Sequence, residues 1–187
     1  MRRTIMRLFV GIDLPPSLSA MITDMQKILR KQELFVGTYP KEEPHHITLK
    51  FLGDIDDEHV PLIAQALEKI HVAALHARFD RLHTFSVDQR MRVIYCAVHC
   101  PAIAELVTQL DTCLEPWVAP EQRSLVPHVT LAHVNSVQDQ RQLLHALDAL
   151  EISHSTFVID SFCLKESSSA AEEAHHTTIQ CYMLTQE

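Results

Sequence analysis

Two short stretches decide how this sequence is read: Pro44-His45-His46-Ile47-Thr48-Leu49 and Pro127-His128-Val129-Thr130-Leu131. Each carries His-x-Thr-Leu close behind a proline, and the two motif histidines stand 82 residues apart in a chain of 187. Strand alternation puts His46 and Thr48 on one face and Ile47 and Leu49 on the other, and it treats His128 and Thr130 against Val129 and Leu131 likewise. The apolar faces can pack on helices, which leaves each strand presenting an imidazole beside a hydroxyl. With 13 histidines, 12 threonines and 22 leucines, chance placement gives roughly 0.1 copies of the motif. Two copies on like-shaped strands point to a duplicated site.

Working outward, the flanking segments repeat the same order. Met6 to Leu14 reads as a strand stopped by Pro15-Pro16, and Ser17 to Arg30 carries apolar residues at helical spacing. The first motif strand runs from His45 to Leu52 and ends at Gly53-Asp54. A helix over Asp57 to Leu75 follows, then strands near Ala77–Val87 and Arg92–Val98 joined by a turn at Asp88-Gln89-Arg90. Pro101 opens a helix to about Leu114. The second motif strand spans His128 to Val134, and Val137 to Leu150 is helical. Strands at Thr156–Lys165 and Thr177–Leu184 close the chain around a polar, mobile loop from Glu166 to His176. The pattern predicts an α+β fold of two similar sheet-bearing lobes forming one hydrophobic unit over residues 1–187. If a pseudo-twofold relates them, the two imidazoles and two hydroxyls face each other across a cleft.

Bulk properties bound the function. An apolar content of 47% supports a substantial core. No apolar run approaches the roughly 20 residues that cross a bilayer. Arg2 and Arg3 resemble the basic region of a signal peptide, but Asp13 interrupts the apolar run that follows, so the expected compartment is the cytoplasm. Cys96, Cys100, Cys113, Cys163 and Cys181 are odd in number and contain no Cys-x-x-Cys pair, which predicts reduced thiols and neither a disulfide framework nor a structural zinc site. The net charge of −8 weakens long-range attraction to a polyanion while permitting a local grip on one terminal phosphate.

The paired motif suits phosphodiester hydrolysis without a metal or other cofactor. One neutral imidazole can take a proton from attacking water while an imidazolium protonates the leaving oxygen. Both forms are accessible near neutral pH. Threonine hydroxyls can donate to the non-bridging phosphate oxygens.

These motifs resemble those of the 2H phosphoesterase superfamily. The opening Arg7-Leu-Phe-Val-Gly-Ile-Asp-Leu-Pro15, the run His46-Ile-Thr-Leu-Lys-Phe-Leu-Gly53, and Pro127-His-Val-Thr-Leu131 are similar to its LigT-type branch, the RNA 2′,3′-cyclic phosphodiesterases. Phe162-Cys-Leu-Lys-Glu-Ser167 resembles the family's penultimate strand, so the likeness covers nearly the whole chain. It implies two pseudo-symmetric lobes of antiparallel sheet, helices outside, a central cleft and no obligatory metal. It further implies hydrolysis of RNA 2′,3′-cyclic phosphate ends to 2′-phosphates, with a reversible 2′-5′ RNA ligase activity in some members. On this resemblance His46 and His128 are the catalytic pair and Thr48 and Thr130 hold the phosphate. A 2′-phosphate product requires the bond to O3′ to break; the sequence leaves either histidine able to serve as base, and the favoured assignment has His128 activating water and His46 protonating O3′.

One departure concerns His133, which stands where many members carry arginine, five residues after the second motif histidine. Alternation places it opposite His128 unless the strand bulges, and a histidine offers only a pH-dependent charge there. Lys50 falls on the His46 face and either approaches the phosphate or caps the rim. Phe9 fits core packing better than stacking on a terminal base. His45 points away from the motif face as a structural residue, and His175-His176 reads as a loop edge. The expected partners are RNA ends or small cyclic nucleotides, bound by a monomer without a membrane. The competing readings keep the site for small cyclic nucleotides or 2′-5′ oligoadenylates, or make the chain a non-catalytic nucleotide-binding module.

Overall fold

The computed structural model describes residues 4–40, 44–119, 124–152, 156–170 and 173–185. Strand β1 (Ile5–Asp13) leads into helix α1 (Pro16–Gln32), a short strand β2 (Phe35–Thr38), and the first motif strand β3 (His46–Asp56). A 3-10 turn at Asp57–His59 opens α2 (Val60–Leu67), followed by β4 (Leu75–Val87), β5 (Arg90–His99) and α3 (Ile103–Leu114). The second motif strand β6 (His128–Val137) precedes α4 (Gln140–Asp148), β7 (Thr156–Ile159), β8 (Ser161–Ala170) and β9 (Glu173–Met183).

All strand pairings are antiparallel and build one sheet in the order β7-β4-β5-β6-β3-β1-β8-β9, with β2 added to β6. The two motif strands meet at its centre, where Ile47 pairs with Val129. These residues occupy the same motif position, so the pseudo-twofold passes between them. The sequence repeat is β1-α1-β3-α2-β4 followed by β5-α3-β6-α4-β8. Its lobes, however, are not its halves, because β4 pairs with β5 and β8 with β1. Each half contributes its last strand to the other lobe.

Local chemistry explains the elements. Helix α1 starts with proline in its first turn and stops at Glu33, which takes a left-handed conformation and donates its N–H to the Arg30 carbonyl. Ile22, Met25 and Leu29 form its buried stripe. Ile103, Leu106, Leu110 and Leu114 do the same on α3. Asp139 caps α4 by accepting from the Gln142 N–H at 3.0 Å.

The structure departs from the sequence pattern in six places, one being the strand expected over Thr156–Lys165, which breaks at Asp160 into β7 on β4 and β8 on β1. Strand β2 is absent from the predicted elements, although Phe35 and Val36 are β-formers. The second helix ends at Leu67 rather than Leu75, and the tail that follows is short and irregular. Gly53 does not end β3; it adopts φ +75° at a register irregularity and the strand continues to Asp56. Most of the polar loop expected over Glu166 to His176 is strand, since Ser167 pairs with His176 and Glu166 with Thr177. Cys163 and Cys181 are joined in a disulfide rather than reduced. They are far apart in sequence but directly opposed in the β8–β9 register, a proximity that counting cysteines does not reveal.

Candidate active site

The matched strands share one structural device. In the β1–β3 ladder Val10 pairs with Lys50 and Gly11 with Thr48, so Leu49 is the extra residue. In the β5–β6 ladder Ile94 pairs with Ala132 and Tyr95 with Thr130, so Leu131 is extra. Each motif leucine therefore sits in a β-bulge, and the bulge inverts the alternation beyond it. Up to the leucine, His46, Thr48, His128 and Thr130 all face one cleft. The leucine and its successor are then both buried, and the fifth position after each histidine swings back to the cleft. Those fifth positions are Phe51 and His133, and both line it.

This inversion settles two residues. Lys50, expected either near the phosphate or on the rim, is instead a core residue: it is 1% exposed and its Nζ donates to Asp111 on α3 at 2.6 Å and to the Ala119 carbonyl at 3.3 Å. His133, expected on the far face unless the strand bulged, reaches the cleft because it does bulge.

An antiparallel register centred on Ile47 and Val129 places His46 opposite Thr130 and Thr48 opposite His128. Each histidine thus neighbours the other motif's threonine. His128 Nδ1 lies 2.7 Å from the Val126 carbonyl, which can only accept, so Nδ1 carries the proton and Nε2 is the lone-pair nitrogen of the neutral ring. Phe85 and Tyr95 stand edge-on to that ring at 5.0 and 5.1 Å. Burial pushes the His128 pKa down from 6.5, outweighing the bond to Val126, which raises it. His46 has a different wall: Phe9 at 5.2 Å and His176 at 4.9 Å between ring centroids. Phe9 is 2% exposed, lines the cleft and contacts both the His46 and His176 rings.

His45 is buried and structural. Its N–H donates to Ser19 Oγ, and its Nε2 lies 3.2 Å from Thr23 Oγ1. His176 is not a loop edge, since β9 carries it into the cleft against His46. Phe51 and His176 escape a reading of the sequence because strict alternation knows nothing of bulges and because a serine-rich hairpin has the composition of a loop. Among the described residues no three His, Cys, Asp or Glu side chains converge as a metal-binding group, and no helix is long and apolar enough to cross a membrane.

The cleft has a volume of about 1340 Å³. Lys165 and Arg7 line it, each already engaged: Lys165 with Asp13, and Arg7 with Asp54 at 3.0 Å. At its far end β2 continues the rim.

The model of the 2′-5′ RNA ligase superfamily matches residues 14–170, which includes both motifs and their bulges. The chain belongs to this superfamily. Among its relatives, an RNA 2′,3′-cyclic phosphodiesterase of Methanocaldococcus jannaschii is 25% identical over 138 residues, 74% of this chain and 77% of that protein. Another from Thermotoga maritima is 26% identical over 166 residues, 85% of this chain and 88% of its own. Among solved structures, E. coli LigT complexed with 3′-AMP superimposes with a TM-score of 0.77 at 21% identity, covering 98% of this chain and all of LigT. A Thermus thermophilus protein gives 0.76 at 21% identity, covering 97% of this chain and all of its own. The α+β, LigT-like fold expected from the sequence is the fold of this superfamily member.

Proposed function

We propose that this superfamily member hydrolyses 2′,3′-cyclic phosphates at RNA ends, leaving a 2′-phosphate. The observation that carries the reading is the arrangement of the two motif histidines, with one proton-accepting nitrogen fixed and both rings on a single cleft with two threonine hydroxyls. His128 Nε2 takes a proton from water as the water oxygen bonds to phosphorus. The bond from phosphorus to O3′ breaks, and His46 delivers its proton to O3′. The hydroxyls of Thr48 and Thr130 donate to the non-bridging oxygens, where charge grows in the transition state. Water, the cyclic diester and two imidazoles balance the reaction without an added co-reactant. The names of the two phosphodiesterase relatives support the substrate class. With a ribose 5′-hydroxyl in place of water as the attacking group, the same forward step, O3′ again leaving with the proton from His46, would join RNA ends through a 2′-5′ linkage.

The test is turnover of a short RNA ending in a 2′,3′-cyclic phosphate, in EDTA. Wild-type protein should form the 2′-phosphate, and His46→Ala or His128→Ala should each lower kcat by about 10²–10⁴-fold. Activity that survives both substitutions would place the chemistry elsewhere. Binding of the RNA without turnover by the wild type would favour a nucleotide-binding module.

A further inference from the structure

The cleft is larger than one terminal nucleotide requires. Its volume of about 1340 Å³ exceeds the roughly 300–1,000 Å³ usual for small-molecule sites, and β2 lines one part of it. That strand is held in place by two unusual contacts. A Cβ on Gly37 would come within 2.1 Å of the His133 carbonyl oxygen, so only glycine lets β2 lie this close to β6. The buried Gln26 amide donates from α1 to both the Pro40 and Leu131 carbonyls at 3.0 Å, tying the end of this segment to the bulge of the second motif.

The result is an aromatic platform on the cleft rim. Tyr39 lies 5.5 Å from Phe35, and the Arg30 guanidinium sits 4.6 Å over the Tyr39 ring. Among the described residues Arg7 and Lys165 have carboxylate partners, while Arg30 has none within ion-pair distance. Burial pushes the Tyr39 pKa above its ordinary value of 10.0, the nearby Arg30 charge opposing this less strongly. Thr38 pairs with His133, which links the platform to the phosphate site through Thr130. At about 3.3 Å per strand residue, Thr130 to His133 spans roughly 10 Å.

We infer that Arg30, Tyr39 and Phe35 form a subsite for the nucleotide on the 5′ side of the reacting end. A 2′,3′-cyclic phosphate terminates the 3′ end of a strand, so the remaining chain leaves the site in the 5′ direction. A flat aromatic ring and a planar cation held on it suit a nucleobase and its phosphate without selecting a sequence. This inference rests on the proposed function and deepens it, making the preferred substrate an oligonucleotide rather than a cyclic mononucleotide.

The experiment compares kcat/KM for a cyclic mononucleotide with that for a dinucleotide and a trinucleotide ending in the same cyclic phosphate. Wild-type protein should prefer the longer substrates by about tenfold or more. Arg30→Ala and Tyr39→Leu should lose most of that preference through KM, and Tyr39→Phe should keep it. Arg30→Lys should retain only part, since an ammonium lacks the planar face. A wild type that turns over all three substrates equally would overturn the subsite and leave the proposed function standing. Variants that slow the mononucleotide as much as the trinucleotide would also overturn it. Turnover of none of the three would remove both.

Discussion

At the scale of single residues, the two motif histidines differ in their surroundings more than in their sequence. His128 is tied through Nδ1 to the Val126 carbonyl and packed edge-on against the stacked pair of Phe85 and Tyr95. Burial lowers its pKa below 6.5. The neutral, proton-accepting ring therefore persists to lower pH than an exposed histidine allows, and as pH falls through the folded value the proposed base is lost. The acid limb of kcat/KM should accordingly rise with pH about a midpoint below 6.5. Replacing Phe85 with alanine admits water beside the ring and should move that midpoint up towards 6.5, at some cost in rate. A pH-rate series on wild type and Phe85→Ala checks both. A limb centred above 6.5, or one unmoved by the substitution, would mean that another group is the base. The same sign holds for stability. The unfolded chain takes up this proton first, so His128 weakens the fold progressively as pH drops below 6.5.

At the scale of elements, the bulge decides what the sequence can reveal. The apolar–polar alternation of His46 to Leu49 and of His128 to Leu131 is legible because a strand's period is two, and so is the pairing of the motifs. The positions after each leucine are not, because a bulge is a relation between two strands and leaves no mark in one. Alternation therefore misplaces Lys50 and passes over Phe51. Strand β2 is hidden for a related reason: at four residues it is too short to show a period, and it depends on Gly37 meeting the His133 carbonyl. The Lys50 site makes a stability prediction. A lysine 1% exposed is balanced by Asp111, itself 29% exposed. Asp111→Asn should leave that charge buried without its partner and destabilise by about 3 kcal/mol. Lys50→Met removes the charge and keeps much of the volume, so its effect should be under about 1 kcal/mol. Urea titrations would show the asymmetry, and equal losses would mean that the pair itself, not the abandoned charge, sets the cost.

At the scale of the molecule, the exchange of final strands between halves makes each lobe depend on both ends of the chain. β8 comes from the second half yet lies on β1, and β9, at the edge of the sheet, pairs with β8. The edge hairpin thus carries His176, which walls His46. A covalent link between Cys163 and Cys181 fixes that hairpin across a sequence separation of 18. Cys96, Cys100 and Cys113 remain as thiols, the first two buried. Burial raises the Cys96 pKa to about 12, which keeps it protonated and unreactive. Protein denatured without reductant should therefore release three titratable thiols, and five after reduction. Closing a loop of this size stabilises by about 3 kcal/mol in the chain-entropy account. Cys163→Ser should lower the unfolding free energy by that order, while reductant should destabilise the wild type and leave the variant unchanged. Because the hairpin carries His176, the loss should also appear in turnover before the protein unfolds. Five thiols without reductant would show the hairpin to be held by strand pairing alone, and the sequence-based expectation of reduced cysteines would stand.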